Sequence, residues 1–507
     1  MSNMKIGWAS CDISTDKPVI ISGQAYLRIS QGVHDPVTAT ALALDSGEDY
    51  VIFLSADMEG THNMILDPVR EKLRAIAPEL DPMKVILNTT HTHAGGPMFS
   101  DKRYFAASED PQDKMPVEVE TASSDEYVDR LTSQLADAAA LAWQTRKEGA
   151  VAFGYGYAVV GHSRRVWYFD DISLRGKVDK GNSFWVNGRA AMYGNTDDSQ
   201  FSHYEAGLDP FVNLLYTFDT AGKLTGALIN LPCPSQCSEK ELRLSASFWH
   251  EVRQMLRAEY GDIFLLPQSA CAGDLSPRIL HYKKAEERRF ALKYGTPEDD
   301  FAEMQTRADI AERIVAAFKE VLSWAVKDMR YVMPITHRVR RVDLTRRFIT
   351  DEEAEGCREG LATARAKGFQ RTDDPYRDFK ANSEQVNIRR RFLAVLDRYE
   401  IQKTKPTIPC EIHVLRIGEI AFATNPFELY MDYMHRIQAR SPFLQTFCVQ
   451  LCGEPRDCVG ADGYLCTERA EEGKGYSAII YSCQVSPKGG QELVEETVKD
   501  LKELAEG

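Results

Sequence analysis

The sequence lacks the features of a membrane-spanning or exported chain. It has no apolar run of roughly 18 residues, the length that a helix needs to cross a bilayer. Its first residues, MSNMKIGW, do not place an apolar segment after a charged one, so we expect no signal peptide. Internal repeats and low-complexity tracts are absent as well. These absences favour an ordinary folded protein of the cytoplasm.

Excess positive charge is also absent. Asp and Glu number 75 against 61 Lys and Arg, and the formal net charge is −14. Nucleic acids and anionic membrane surfaces attract basic proteins, so we expect neither as the main partner. Hydrophobic residues make up 43% and charged residues 27% of the 507, which is typical of a globular protein. The length suits one large domain or two to three ordinary ones.

The cysteines form no recognisable metal or disulfide pattern. There are 11 of them, an odd number, and none stand in a Cys-x-x-Cys pair. Reduced thiols in a cytoplasm are the expected state. Cys448, Cys452, Cys458 and Cys466 cluster, but their spacings of 4, 6 and 8 residues fit no compact zinc site.

Strand-like apolar segments alternate with helical patterns, which predicts an α/β fold of central mixed β-sheets flanked by α-helices. Strands are predicted at residues 50–55, 85–88, 151–160, 212–218, 224–230, 263–266, 410–417 and 420–424. Helices are predicted at residues 67–77, 127–145, 246–259, 303–326, 351–367, 428–439 and 491–505. Pro68 suits the first turn of the first helix.

No linker divides the chain, so residues 1–507 are expected to form one large domain. Residues 282–387 are charged and mostly helical, which predicts a cap or peripheral layer. Residues 100–124 and 169–198 read as long loops, which inside a compact domain are usually lids or binding loops. Disordered surface is the alternative for the first loop. Trp167, Trp185 and Tyr193 are candidates to stack on a substrate.

Two histidines stand two residues apart where a strand ends. The segment 88–96, NTTHTHAGG, follows the apolar strand 85–88, a place where α/β enzymes carry their chemistry. On an extended backbone, His91 and His93 would point to the same side. They could then share a metal, or divide into one ligand and one acid or base.

Other predicted strands also end in polar side chains. Asp57 follows one of them, and Asp274 and Ser276 lie in the turn after another. Ser276 could be a nucleophile or an oxyanion donor, although an Asp-x-Ser-Pro turn is more often a capping device. Cys233 stands between two prolines and could ligate a soft metal or be a buried thiol.

Three further segments carry candidate groups. Arg164 and Arg165 could clamp a carboxylate or an oxyanion, although paired arginines are more often surface or salt-bridge features. Glu428 is predicted at a helix start, which suits a carboxylate electrostatically, and it could also ligate a metal. Tyr464 offers a phenol in a loop.

Taken in order, these segments resemble the catalytic domain of the neutral/alkaline ceramidase family. Its members are zinc-dependent amidases that cut the N-acyl bond of ceramide. The similarity runs from about residue 5 to residue 505 and rests on residues 7–14 (GWASCDIS), 34–42 (HDPVTATAL), 90–93 (THTH) and 273–277 (GDLSP). It implies a ceramidase-like catalytic domain without the family's C-terminal immunoglobulin-like domain.

The resemblance also implies roles for single residues. The implied zinc ligands are His91, Glu428 and Tyr464. The implied catalytic residues are His93, Ser276 and Arg164, with Arg165 competing for the place of Arg164, and Asp274 and Asp57 complete the candidate set.

One departure from the family concerns the metal. The family's second zinc histidine follows the strand equivalent to residues 224–230, where this chain has Cys233 and Gln236 instead. A thiolate is a good zinc ligand, so Cys233 is the predicted replacement and Gln236 a poorer one. His203 or His162, from other loops, are alternative replacements for that histidine. Another alternative is that the metal is weakly bound, different or missing.

These expectations combine into a zinc-dependent hydrolase of an amide or ester bond. The substrate need not be ceramide: a small polar amide, an acylated sugar or a glycan-derived compound suits the chain equally. One alternative is a non-catalytic ligand-binding or glycan-binding protein of the same fold that has lost its zinc. Another is a thiol enzyme that uses Cys233. A homo-oligomer is compatible with the sequence.

Overall fold

The computed structural model describes residues 3–176, 181–184, 186–297, 300–455 and 463–506. The strands are β1 (Lys5–Asp12), β2 (Ile20–Ile21), β3 (Arg28–Ile29), β4 (Thr38–Asp45), β5 (Tyr50–Ala56), β6 (Val85–Thr89), β7 (Lys147–Tyr157), β8 (His162–Ser163), β9 (Arg165–Tyr168), β10 (Ala190–Met192), β11 (Phe201–Tyr204), β12 (Phe211–Asp219), β13 (Leu224–Leu231), β14 (Phe264–Ser269), β15 (Leu275–Ser276), β16 (Ile335–Thr345), β17 (Thr407–Ile417), β18 (Ile420–Thr424), β19 (Glu428–Leu429), β20 (Gln445–Val449) and β21 (Tyr464–Leu465). The α-helices are α1 (Asn63–Ile76), α2 (Asp101–Phe105), α3 (Ser124–Gln144), α4 (Phe248–Tyr260), α5 (Lys283–Tyr294), α6 (Met304–Ala325), α7 (Asp351–Ala366), α8 (Pro375–Ile401), α9 (Met431–Arg440), α10 (Glu468–Gly473) and α11 (Pro487–Glu506).

The largest sheet has eight strands in the order β14-β13-β12-β7-β1-β4-β5-β6. Parallel pairs stand at its two edges, and the strands between them are antiparallel. The edges approach each other, because Ser55 Oγ donates to the Pro267 carbonyl at 2.5 Å and Ser269 Oγ to the Thr89 carbonyl at 3.0 Å. The carboxyl ends of β6 and β14 therefore lie side by side, and the loops that follow them share one space.

A second sheet, β16-β17-β18-β20, packs face to face against the first. Phe53 of the large sheet lies against Phe422 of the small one, with ring centroids 4.8 Å apart. Helices α1, α3, α4 and α6 cover the outer face of the large sheet, and α9 and α11 cover that of the small sheet. The predicted α/β fold of mixed sheets flanked by helices is confirmed, as four layers around an apolar core.

The prediction for Pro68 was wrong. Helix α1 begins at Asn63, so Pro68 lies inside the helix rather than in its first turn. A proline at that depth removes one backbone hydrogen bond of the helix. Ile65, Leu66 and Val69 are buried against the sheet, and this packing holds the helix in spite of the missing bond.

Residues 282–387 divide between the core and the region around the site. Helix α6 packs its buried face on β7 and β12 and belongs to the core. Helices α7 and α8 pack on each other, and α8 also contacts α2. Within the described ranges, no helix is both long enough and apolar enough to cross a membrane.

Candidate active site

The histidine pair lies at the carboxyl end of the buried strand β6. His91 adopts a left-handed backbone with φ of 59°, which is uncommon for a residue with a side chain. This turn, rather than the expected extended backbone, brings the two rings together, and their Nε2 atoms are 3.4 Å apart. His91 Nδ1 lies 2.5 Å from the Glu59 carbonyl. A proton on Nδ1 makes that contact a hydrogen bond and leaves Nε2 of His91 facing the site.

Glu428 reaches His91 from the second sheet's side of the molecule, with Oε2 3.3 Å from His91 Nε2. The sequence predicted Glu428 at a helix start, and this was wrong. It lies in the short strand β19, which pairs in parallel with β21, and helix α9 begins later, at Met431. Pairing of these strands sets Glu428 opposite Tyr464 in register. The backbone of Gly273 packs so closely here that a Cβ would lie 2.3 Å from the Glu428 carbonyl oxygen.

Arg164, and not Arg165, faces this cluster. Its guanidinium donates to the Tyr464 hydroxyl at 3.0 Å and to the Gly273 carbonyl at 2.8 Å, and it lies 3.5 Å from Glu428 Oε2. Arg165 is fully buried elsewhere, in an ion pair with Glu205 at 2.9 Å. Burial opposes the charge of Arg164, but Tyr464, Tyr193 and Glu428 outweigh it and raise its pKa well above the usual value. Arg164 is therefore a permanent cation in the floor of the site.

The pKa values of the two histidines are shifted in opposite directions. Burial alone would lower the pKa of His91, but the Glu428 carboxylate outweighs it and raises this pKa. The pKa of Glu428 is lowered because His91 and Arg164 outweigh its own burial. The pKa of His93 is lowered, chiefly by burial and further by the neighbouring His91. In the protein without metal, the Glu428 carboxylate therefore favours the charged form of His91, and burial favours the neutral form of His93.

Gln236 and Glu239 contact His93 from the other side. Gln236 Nε2 lies 3.0 Å from His93 Nε2, and Glu239 Oε2 lies 3.3 Å from His93 Nδ1. Arg278 donates to Glu239 at 2.9 Å. Although burial opposes it, His93 and Arg278 lower the pKa of Glu239 to about 2, so this carboxylate is ionised. Sequence reasoning missed Glu239, because a charged loop segment gives no signal that one of its carboxylates turns inward.

Ser276 and Asp274 lie behind the histidines, on and beside strand β15. Ser276 is fully buried, and the Tyr193 hydroxyl lies 3.5 Å from its Oγ. The Tyr193 hydroxyl also lies 3.3 Å from Gln236 Oε1. Asp274 accepts a hydrogen bond from the backbone amide of Met431, the first residue of helix α9, at 3.0 Å. Burial raises the pKa of Asp274 to about 6, and its contact with Met431 makes it a capping residue.

Two other predicted site residues lie away from the cluster. Asp57 forms a bidentate ion pair with Arg253, at 2.8 and 3.1 Å, and also accepts from Thr38. The structure does not bring Cys233 to the histidines either. Its thiol is fully buried, donates to the Val160 carbonyl at 3.3 Å, and has a pKa raised well above the usual value by that burial.

The three aromatic residues that were predicted to stack on a substrate differ in their positions. Tyr193 reaches the site through its hydroxyl group, as described above. Trp167 donates its indole N–H to Glu205 at 2.8 Å and is largely buried beneath the site, away from the cavity. Trp185 and Cys458 lie outside the described residues.

A cavity of about 250 Å³ opens onto His91, His93, Glu428 and Tyr464. The predicted loop 100–124 contributes Arg103 to its wall and holds helix α2. The other polar residues that line it are Ser22, Gln24, Glu59, Thr61, His62, Tyr104, Ser383, Asn387, Arg390, Arg391, Glu454, Tyr476 and Gln484. Ligand pockets usually exceed about 300 Å³, so this cavity suits a small ligand.

One imidazole nitrogen and two oxygen donors, from His91, Glu428 and Tyr464, line the cavity as candidate ligands of a metal ion. In the part of the chain that the structure describes, no three side chains of His, Cys, Asp or Glu are arranged to hold a metal. The Tyr464 phenol adds an oxygen beside His91 and Glu428, and an imidazole nitrogen and a carboxylate oxygen are donors that zinc accepts at catalytic sites. The contact of His91 Nδ1 with the Glu59 carbonyl is the support that a metal-binding histidine usually has.

Comparison with known proteins connects this architecture to one group of solved structures. No protein-family model matches the sequence, and no curated protein matches it significantly. The neutral ceramidase from Pseudomonas aeruginosa matches with a TM-score of 0.66 and 17% identity, over 100% of this chain and 75% of that one. A ceramidase complexed with C2 matches with a TM-score of 0.64 and 15% identity, over 100% of this chain and 76% of that one. The chain therefore has a ceramidase-like α/β fold.

Proposed function

We propose that this protein is a metal-assisted hydrolase of an amide or ester bond. The observation that carries the proposal is the convergence of His91, His93, Glu428 and Tyr464 on one cavity, with the Arg164 cation beneath them. Acid, base and oxyanion-stabilising groups thus surround one small space. That combination suits attack on a carbonyl carbon.

His91, Glu428 and Tyr464 would hold the metal, for which zinc is our proposal. Such an ion polarises a carbonyl oxygen and lowers the pKa of a bound water toward about 7. Binding would require His91 Nε2 to be free of a proton, since a metal ligand must be deprotonated.

His93 would take and return the proton. Its lowered pKa keeps the ring neutral, and Glu239 next to Nδ1 favours the tautomer in which Nε2 accepts a proton. The side-chain amide of Gln236 beside Nε2 is consistent with an accepting nitrogen there. Glu239 is thus a positioning residue that acts through His93.

Arg164 would face the negative charge that develops on the substrate oxygen, and Tyr464 lies beside Arg164 as the third proposed metal ligand. Both are buried and already oriented, Arg164 by the Gly273 carbonyl and Tyr464 by Arg164 itself, so little reorganisation is needed in the transition state. Ser276 would help to orient the groups behind the histidines, since the Tyr193 hydroxyl lies 3.5 Å from its Oγ.

Metal content and hydrolysis, measured together, test this proposal. The purified protein, His91→Ala and Cys233→Ser would be compared by elemental mass spectrometry and against a panel of amides and esters. We expect about one zinc per chain in the parent and in Cys233→Ser, and loss of both metal and activity in His91→Ala. Full activity in His91→Ala would refute the assignment. Loss of zinc in Cys233→Ser would show that the thiol is a ligand after all.

A second candidate is a ligand-binding protein of the same fold that has lost catalysis. The observation that favours it is that Cys233 does not complete a metal site, while the Arg164 cation lies close to Glu428. A protein that takes up no zinc, even when zinc is supplied, and hydrolyses nothing would support this candidate. The cytoplasmic location predicted from the sequence stays a prediction.

A further inference from the structure

The cavity has a wall of arginines that the proposed hydrolysis does not use. Arg103 comes from helix α2, and Arg390 and Arg391 come from helix α8. We name these three residues the arginine wall. Arg391 lies over the ring of Phe184, 4.2 Å from its centroid, and Arg103 lies over Phe99 at the same distance. Stacking on aromatic faces orients both guanidinium groups.

Arg390 is held by carbonyl groups and not by a carboxylate. Its guanidinium donates to the Arg103 carbonyl and, at 3.0 Å, to the Ala106 carbonyl. Burial and the charge of Arg103 lower the pKa of Arg390 to about 9. Among the residues that the structure describes, no carboxylate lies within ion-pair distance of Arg103 or Arg390. Within the described ranges, these two neighbouring cations in a partly enclosed space have no carboxylate paired with them.

Glu454, an acidic residue of the same lining, is engaged elsewhere. Its carboxylate lies 3.8 Å from His62 Nδ1 and accepts from the Asn63 amide at 3.2 Å. Burial opposes its charge, and His62, with a smaller contribution from Arg103, keeps its pKa low. Glu454 thus weakens the field of Arg103 without pairing with it.

We propose that the arginine wall binds an oxyanion of the substrate, so that the bond cleaved at the histidine pair belongs to a small acidic compound. A carboxylate and a phosphate or sulfate group share the required chemistry, since guanidinium groups bind each through charge-assisted hydrogen bonds. The neutral head and long chains of a ceramide match neither the wall nor a cavity of about 250 Å³. This inference rests on the proposed hydrolase function for the reaction, but the binding of an oxyanion does not depend on it.

Matched substrates test the proposed preference for an acidic over a neutral compound. Butyryl p-nitroanilide is neutral, and succinyl p-nitroanilide replaces its terminal methyl with a carboxylate; glutaryl and adipyl homologues lengthen the spacer. We expect at least one acidic anilide to be cleaved with a higher kcat/KM than its neutral partner. Arg103→Gln should reduce this preference about tenfold, because one charge-assisted hydrogen bond is lost. Lys102→Gln is the control, since Lys102 is exposed, pairs with Glu109 and carries the same charge one residue away.

Binding is measured separately, so that hydrolysis is not required. Glutarate, inorganic phosphate and sulfate are titrated into metal-free protein by calorimetry, and their relative affinities distinguish the carboxylate from the other oxyanions. Arg103→Gln should weaken binding about tenfold, and Lys102→Gln should leave it unchanged. Arg390→Lys retains the charge and should bind better than Arg390→Gln. Arg103→Gln is expected to disturb the fold less than the Arg390 variants. It loses the stacking on Phe99, whereas the Arg390 side chain holds two backbone carbonyls.

Each combination of results decides between the two proposals. Hydrolysis with no acidic preference, and no oxyanion binding, would overturn the arginine wall and leave the hydrolase standing. Oxyanion binding that Arg103→Gln abolishes, without hydrolysis of any probe, would overturn the hydrolase and leave the wall standing. Binding that is equal in the parent and in Arg103→Gln would mean that the anion sits elsewhere, which also overturns the wall.

Discussion

Replacing Asp57 with Asn should unfold this protein at a much lower denaturant concentration without touching its chemistry. Asp57 is fully buried and satisfies both terminal nitrogens of Arg253, which is itself almost fully buried. It also accepts from the backbone amide of Thr38 at 2.8 Å and from its hydroxyl at 3.1 Å. The substitution keeps the shape of the side chain and removes its charge. Arg253 is then left as a buried cation without a partner.

The loss in the free energy of unfolding follows from the unpaired charge of Arg253. Removing one partner of a buried ion pair costs about 3–5 kcal/mol, because the remaining charge stays buried without compensation. Typical domains are stable by only about 5–15 kcal/mol, so the loss is a large part of the total. Replacing Arg253 with Met in the same chain removes the stranded charge. The double variant should therefore recover most of the loss.

Urea unfolding followed by circular dichroism measures the loss. Asp129→Asn is the matched control, because Asp129 is largely exposed and pairs with Lys72, so its unfolding midpoint should stay close to that of the parent. Hydrolysis by folded Asp57→Asn should equal that of the parent. A fully stable Asp57→Asn that has lost hydrolysis would refute this reasoning and return Asp57 to the catalytic residues.

Three further predictions concern the site and the core. Gly23→Ala should destabilise by about 1–3 kcal/mol more than Gly32→Ala in urea unfolding, because only the first adds an atom where there is no space for it. Both glycines have positive φ, but only at Gly23 would a Cβ meet His93, at 2.6 Å. Equal losses of stability in the two variants would contradict this contact. Glu239→Gln should lower kcat about 10- to 100-fold with little change in KM, because Glu239 is proposed to orient the ring of His93. A change in KM alone would contradict that role. His337 and His413, 2.9 Å apart, have pKa values lowered chiefly by burial. In the unfolded chain a histidine has a pKa of about 6.5, so below that pH the unfolded chain binds more protons than the folded protein. Each of the two histidines should therefore lower the free energy of unfolding by up to about 1.4 kcal/mol for each pH unit below about 6.5. His337→Asn should flatten this dependence in urea titrations between pH 5 and 7, and an unchanged slope would count against the assignment.

The regular elements could mostly be predicted from local pattern. Apolar runs such as residues 85–88 and 420–424 appear as strands, because burial on both faces leaves a signal in a few consecutive residues. Strands β1, β4, β16 and β20 and helix α8 were missed. Helix α8 is long but has buried polar residues among its apolar ones, which blurs its helical period. Local pattern also misplaced Pro68, since packing against the sheet overrides its preference for a first turn.

The order of residues along the chain is enough to predict the α/β class and the candidate polar residues that follow the strands. It also places His91 and His93 side by side at a strand end, but the left-handed turn at His91 that brings their rings together was not predicted. The distant groups that join the two histidines follow from the tertiary packing. It chose Arg164 over Arg165, brought Gln236 and Glu239 to His93, and turned Cys233 away. These contacts depend on how the sheet edges close and how the two sheets pack, and no local pattern in the chain encodes a distance across a folded core.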